Sequence, residues 1–183
     1  AFDDWVRYIF FTNKDYLNNL LLARLKNFTK IPFSVSRTFS AVVSKLFSYY
    51  FKMHFPQKPV GDFRVFSKND APLQEIEDLW VQNKTYYGIT VDRKSNYLKW
   101  RINQNPYFDY VYVLHYKENR LVGYAIMSLT HNNAFSIEDI LAEKSNMSIF
   151  DEIISYLIWY AKDAGADAVS CDTVEGNAIL QSV

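Results

Sequence analysis

Cysteine is all but missing from this chain, with Cys171 the single one in 183 residues. That excludes an internal disulfide framework and a cysteine-rich zinc site. Glycine and proline are scarce, five of each, which excludes collagen-like and low-complexity chains. No run of about 18 apolar residues reads as a membrane-spanning helix, and no secretory leader is recognisable. His54, His115 and His131 are far apart and make no metal-ligand spacing, so no metal is expected. A net charge is also missing, since 20 Lys/Arg balance 20 Asp/Glu. The basic residues are scattered and carry no nucleic-acid-binding signature. A reducing, cytoplasmic setting fits this composition.

What the chain does have is apolar and aromatic mass, at 49% and 17% of residues, enough to bury a real core. Its charge is unevenly spread. Residues 1–60 hold nine Lys/Arg against three Asp/Glu, whereas residues 61–183 hold eleven against seventeen. Opposite signs of this kind fit two units that attract each other, or one unit facing an acidic partner. We expect a boundary in the Pro-containing stretch 55–61, with a basic segment 1–60 before it and a domain 61–183 after it.

Along the chain, β-branched and aromatic residues at Trp5–Phe11 predict a strand. Apolar spacing predicts helices over 14–26 and 37–54. The second carries a stripe of Phe39, Val42, Leu46 and Tyr50 opposite serines and lysines. That pattern suits a membrane-surface helix or a helix packed on its neighbour, and packing is the expected state. After the boundary come a short strand at 63–66, a helix capped by Asp70 with Ile76, Leu79 and Trp80 as its core face, and a loop with Gly88. A helix over 96–103 follows, begun by Asp92 or Ser95, and then strands at 109–116, 120–129 and 135–142. Ser148 is expected to cap a helix closed by Gly165. A strand at 167–173 and a helix beginning at Gly176 end the series. Three hairpin-linked strands followed by a helical crossover to a parallel strand give an α/β fold, a mixed sheet flanked by helices.

Short motifs add to that order. Asn96–Arg101 reads N-Y-L-K-W-R, followed by Asn105-Pro106-Tyr107, Tyr110, Leu121-Val122-Gly123-Tyr124-Ala125, Ile137–Leu141 (I-E-D-I-L) and Ala164-Gly165-Ala166-Asp167. In order and spacing these resemble the Gcn5-related N-acetyltransferase (GNAT) superfamily over residues 62–183, and in particular the second GNAT-like domain of tandem proteins. The resemblance implies that 2–11 is the last strand of a preceding GNAT-like domain, with 14–55 as a connector. The start at Ala1 and the stop at Val183, inside the family's last helix, fit a fragment. They fit equally an arrangement in which Trp5–Phe11 supplies a strand to the open sheet edge. A preceding domain, or a second copy meeting that edge, is the macromolecular partner implied.

The resemblance further implies transfer of an acyl group from acetyl-CoA or another acyl-CoA to an amine. The donor's pantetheine arm would lie along Ile140, Leu141 and Ala142, and its phosphates at the loop and helix start through Lys144, Ser145, Asn146 and Ser148. A helix N-terminus suits phosphates because its first N–H groups are unpaired. The family's loop glycines and arginine are missing here, and Glu143 adds negative charge. Glu138 and Asp139 are the candidate general bases. Neighbouring strand residues alternate faces, so only one of the two is expected to face a given cleft. Asp139 matches an acidic position of the resembling domains, with a structural hydrogen-bonding role as its other reading. Arg101 is read as an ion-pair or anion-binding residue and Cys171 as a buried structural thiol. The competing function is a non-catalytic GNAT-like module that shapes a substrate cleft or a domain interface.

Overall fold

The computed structural model describes residues 5–13, 58–87 and 90–174. The expected helices over 14–26 and 37–54, the loop glycine Gly88 and the helix from Gly176 lie outside the described residues. The elements are β1 (Trp5–Phe11), β2 (Asp62–Ser67), α1 (Leu73–Asn83), α2 (Ser95–Leu98), β3 (Tyr110–Lys117), β4 (Arg120–Leu129), β5 (Ala134–Ala142), α3 (Met147–Asp163) and β6 (Ala168–Val174). A 3-10 turn, Lys84–Tyr86, extends α1, and a π-helical stretch, Lys99–Asn103, extends α2.

The strands form one mixed sheet in the order β1-β6-β5-β4-β3-β2. β2 to β5 run antiparallel by neighbours, and β5 and β6 are parallel and joined through α3. β1 pairs antiparallel with β6 over its whole length, from Trp5 opposite Val174 to Phe11 opposite Ala168. Trp5–Phe11 is thus an edge strand of the same sheet, and β6 is paired on both sides.

Each face of the sheet carries its own core. Val113, Ala125, Met127 and Phe135 pack under Ile153, Ile154 and Leu157 of α3. On the other face Tyr112, Leu114, Tyr124 and Ile126 pack under Ile76, Leu79 and Trp80 of α1 and Leu98 and Ile102 of the next helical stretch. Gly123 is what lets α3 lie close. A Cβ there would stand 2.7 Å from Ile153 Cδ1 and 3.0 Å from the Leu141 carbonyl oxygen. Gly165, at φ +75°, closes the C-terminal end of α3, where an L side chain would be strained.

Two capping expectations change and one open choice is resolved. Asn146, not Ser148, caps α3, its Oδ1 accepting from the Ser148 N–H at 3.0 Å, because the helix begins two residues earlier than expected, at Met147. Pro72 stands at the start of α1 without a side-chain cap, and Asp70 instead accepts from the Ser67 hydroxyl. Asp92 accepts from the Trp80 indole N–H at 2.7 Å, while α2 starts at Ser95, whose N–H donates to Glu77.

Candidate functional site

The site grows from an interruption in the sheet. β5 and β6 pair from Ala134–Ala168 to Ile137–Cys171 and no further. β5 nevertheless continues to Ala142, paired only with β4, and β6 continues to Val174, paired only with β1. Two parallel strands that part in this way leave a fork whose β5 side carries backbone groups turned away from β4.

Glu138 stands at the root of the fork. It is the extra residue of a β-bulge, since Ile126 faces Asp139 and Met127 faces Ile137. The bulge changes the expected alternation. Glu138 accepts from the Ser128 hydroxyl at 2.7 Å and Asp139 from the Tyr124 hydroxyl at 2.8 Å. Tyr124 and Ser128 lie four residues apart on β4 and so share a face. Both carboxylates therefore turn toward the α1/α2 face, where strict alternation allowed only one.

Their environments differ. Asp139 is gripped by Arg93, whose Nε donates to both carboxylate oxygens at 3.0 Å and whose Nη2 donates to Oδ1 at 2.9 Å. The Ile140 N–H adds a further bond at 3.0 Å. Burial pulls the Arg93 guanidinium down, but the charge and hydrogen bonds of Asp139, with smaller help from Tyr124 and Tyr87, together hold the group above its ordinary value. Burial, then the Asp139 charge, push the Tyr124 hydroxyl well up, so it stays a donor. Glu138 has no comparable clamp: among the described residues its hydrogen-bond partner is the Ser128 hydroxyl. Its charge is felt at Tyr110, already raised by burial, and at Cys171, which burial, Asp172 and Glu138 push up to about 11. Cys171 is thus a buried, protonated thiol, poorly suited to attack.

The far end of the fork is filled from α1. The Tyr87 hydroxyl accepts from the Ala142 N–H at 2.9 Å and donates to the Ala142 carbonyl. Residues of an antiparallel strand send N–H and C=O to the same side, alternating along the chain. Ala142 therefore turns both groups away from β4, into the fork. Tyr87 packs against both core clusters, as a side chain standing in a gap of the sheet does. Burial raises its hydroxyl pKa, partly offset by the bond to Ala142.

The expected phosphate loop is a 3-10 turn, Glu143–Ser145, with Lys144 and Ser145 at φ 51° and 52°. The backbone thus takes the left-handed turns that glycine would supply, without glycine. Its groups are engaged. The Lys144 N–H donates to Oδ1 of the buried Asn83 at 2.9 Å, and the Ser145 hydroxyl to the Tyr86 carbonyl at 3.2 Å. The Asn146 N–H donates to the Glu143 carbonyl at 2.9 Å. Glu143 is not a loose negative charge, since Arg120 pairs with it at 2.8 Å and holds its carboxyl below the ordinary value. Ile140 and Leu141 lie on β5 between the bulge and Ala142, with Leu141 fully buried.

The structure thus brings Glu138, Asp139, Ile140, Leu141, Ala142, Lys144, Ser145, Asn146 and Ser148 along one fork and the turn that follows it. Sequence reasoning missed Asn83, Tyr87, Arg93 and Arg120, the residues that hold this fork from outside β5. Arg101 donates to the Tyr97 hydroxyl at 2.8 Å. Among the described residues no group of three His, Cys, Asp or Glu side chains could hold a metal ion, and no helix is long and apolar enough to cross a membrane.

No protein-family model and no curated protein matches the chain. Solved structures do. A conserved protein of Enterococcus faecalis V583, described as "Probable N-Acyltransferase", aligns over 69% of this chain at TM-score 0.51 and 14% identity. The fold is GNAT-type. Two other similar structures are AAC(6')-Iy with the bisubstrate analog CoA-S-monomethyl-acetylneamine (TM-score 0.47, 16% identity, 66% of this chain and 85% of that one) and L-PGS from Bacillus licheniformis (TM-score 0.46, 13% identity, 97% and 51%). The chain spans 31% of the Enterococcus protein's length. At 14% identity what the chain shares with the Enterococcus protein is the fold, and a fold alone does not assign an activity.

Proposed function

We propose that this domain transfers an acyl group from an acyl-CoA, acetyl-CoA being the simplest, to an amine. The observation that carries the reading is the fork: parallel pairing stops at Ile137–Cys171 while β5 runs on to Ala142. A fork exposes strand edge to an extended ligand arm, and the Met147–Asp163 helix starts just beyond it, where the positive end of the helix dipole favours an anion. Lys144 adds a positive charge at that point. We assign the base to Glu138. Its carboxylate takes the proton of the attacking amine as the N–C bond forms, and the C–S bond breaks to release the CoA thiolate, which is then protonated. Asp139 is assigned a positioning role, because its oxygens already bind Arg93, Tyr124 and the Ile140 N–H. A cytoplasmic setting belongs to the same reading, as does a second domain or chain beside this one.

Binding of a donor stabilises the folded state by about 2.7 kcal/mol at a hundredfold excess over Kd, a melting shift of roughly 5 °C. Millimolar acetyl-CoA should raise the melting temperature, and CoA-thiol release should depend on an added amine. Glu138→Gln should cut kcat about a hundredfold or more with little change in donor binding. The second reading is a non-catalytic module that shapes a cleft or an interface. It is favoured by the hydrogen bonds that already occupy Ala142 and Lys144. Absence of any acetyl-CoA shift, in the native chain and in Tyr87→Phe alike, establishes that reading instead.

A further inference from the structure

Ala142 is fully buried, yet the partner of its N–H and C=O is a side chain from outside the sheet. One hydroxyl both accepts and donates there, two roles that an extended arm would fill with the C=O of one secondary amide and the N–H of the next, because a trans amide points its own two groups to opposite sides. Tyr87 does not stand alone. Asn83 binds the Lys144 N–H and Tyr86 binds the Ser145 hydroxyl, so residues 83–87 run as a strap along residues 142–145. Asn83 is itself anchored, its Nδ2 donating to the Leu79 carbonyl at 2.8 Å. The ring of Tyr87 also lies 6.3 Å from that of Trp80, which extends the strap's packing back to α1.

We propose that Tyr87 is a built-in competitor at the fork: its hydroxyl occupies both Ala142 groups in the free protein, and an acyl donor enters by displacing it with the successive amides of its carrier arm. This rests on the acyl-CoA reading above and adds the residue that competes with the donor. Tyr87 shields the Ala142 groups from water while no donor is bound. Removing the hydroxyl leaves both Ala142 groups unsatisfied in the free protein, a state that the successive amides of an incoming arm relieve.

The test uses the whole chain and two probes, coenzyme A and 3′,5′-ADP, which carries phosphates without the amide arm. Titration calorimetry should show Tyr87→Phe binding coenzyme A about tenfold tighter than the native chain, the effect of one competing hydrogen-bond pair. Binding of 3′,5′-ADP should be the same in both. Asn83→Ala, which loosens the strap at Lys144, is the second variant and should shift coenzyme A affinity the same way. Amide hydrogen exchange should show Ala142 exchanging faster in Tyr87→Phe and protected again when coenzyme A is added. Equal coenzyme A affinity in the native chain and both variants overturns the inference while leaving the acyl-CoA reading standing. Coenzyme A binding to none of the three overturns both.

Discussion

Arg93→Ala should be one of the most damaging single substitutions in the domain. Arg93 and Asp139 expose only 13% and 17% of their side chains, so the pair is largely withdrawn from water. Asp139 accepts from Arg93, Tyr124 and the Ile140 N–H, and Arg93 also lies over the Trp80 ring at 5.2 Å. Truncation of one member of such a pair leaves the other charge buried with too few partners, which costs about 3–5 kcal/mol. For a chain of this size that is a drop in melting temperature of roughly 10 °C. Asp139→Asn should cost a comparable amount, because it strands the guanidinium. The double variant Arg93→Leu/Asp139→Asn should be less damaging than the sum of the singles, since no charge is left unpaired. Urea unfolding of the three variants measures this directly, with the slope of the transition checked for constancy. If either single variant loses less than about 1 kcal/mol, or if the losses simply add, the clamp does not hold Asp139 as described. Asp139 would then regain its claim to be the base.

Two further outcomes follow from the packing and the charges. Gly123→Ala should cost about 1–3 kcal/mol, because its Cβ would overlap Ile153 Cδ1, and Ile153→Val in the same chain should recover part of the loss by removing that carbon. The Glu152 carboxyl is pushed up by burial, but hydrogen bonds from Lys117 and His115 outweigh this and leave it below its ordinary 4.5. Its contribution to stability is therefore full above about 4.5 and is lost as pH falls through the lower native value. Melting curves between about pH 3 and 6 should show the native chain losing stability more steeply than Glu152→Gln, and parallel curves would refute the assignment.

Much of the fold could be read from the chain because it is written in local patterns. Near-continuous apolar and aromatic runs, buried on both faces of the sheet, mark β3 and β4, and a helical stripe marks α3, whose Phe150, Ile153, Ile154 and Leu157 are all buried. The parallel relation of β5 and β6 followed from the helix between them, and the edge role of Trp5–Phe11 was one of two arrangements the sequence left open. The site was less legible, for a physical reason. Tyr87 meets Ala142 across 55 residues and Arg93 meets Asp139 across 46, and no periodicity reports such contacts. The loop glycines were a second obstacle. Their absence pointed to an unsuitable backbone, yet Lys144 and Ser145 adopt positive φ without them, strain that the bonds to Asn83 and Tyr86 help to hold.

The bulge decides what surrounds each of the two carboxylates. Without an extra residue in β5, Glu138 and Asp139 would point to opposite faces, and one of them would enter the apolar layer under α3. With it, both reach the α1/α2 face, and their fates are set by what the neighbouring elements bring. Asp139 falls opposite Ile126, next to the Tyr124 hydroxyl and within reach of Arg93 from the segment before α2. Glu138 is left unpaired in the ladder, held by Ser128 and placed directly after the last β5–β6 pair. A carboxylate in a full clamp is a poor base, because protonation would break bonds to a guanidinium. One bound by a single hydroxyl at the root of a fork can take a proton at little structural cost. Deleting the bulge, by removing Glu138, should therefore do what Glu138→Gln does not. It should restore strict alternation between Ile137 and Asp139 and keep the Arg93 clamp. It should also extend the parallel pairing past Cys171, narrowing the fork. Chemical shifts and amide protection along 138–142 would report the change, and an unaltered fork in that deletion would refute the bulge as its cause.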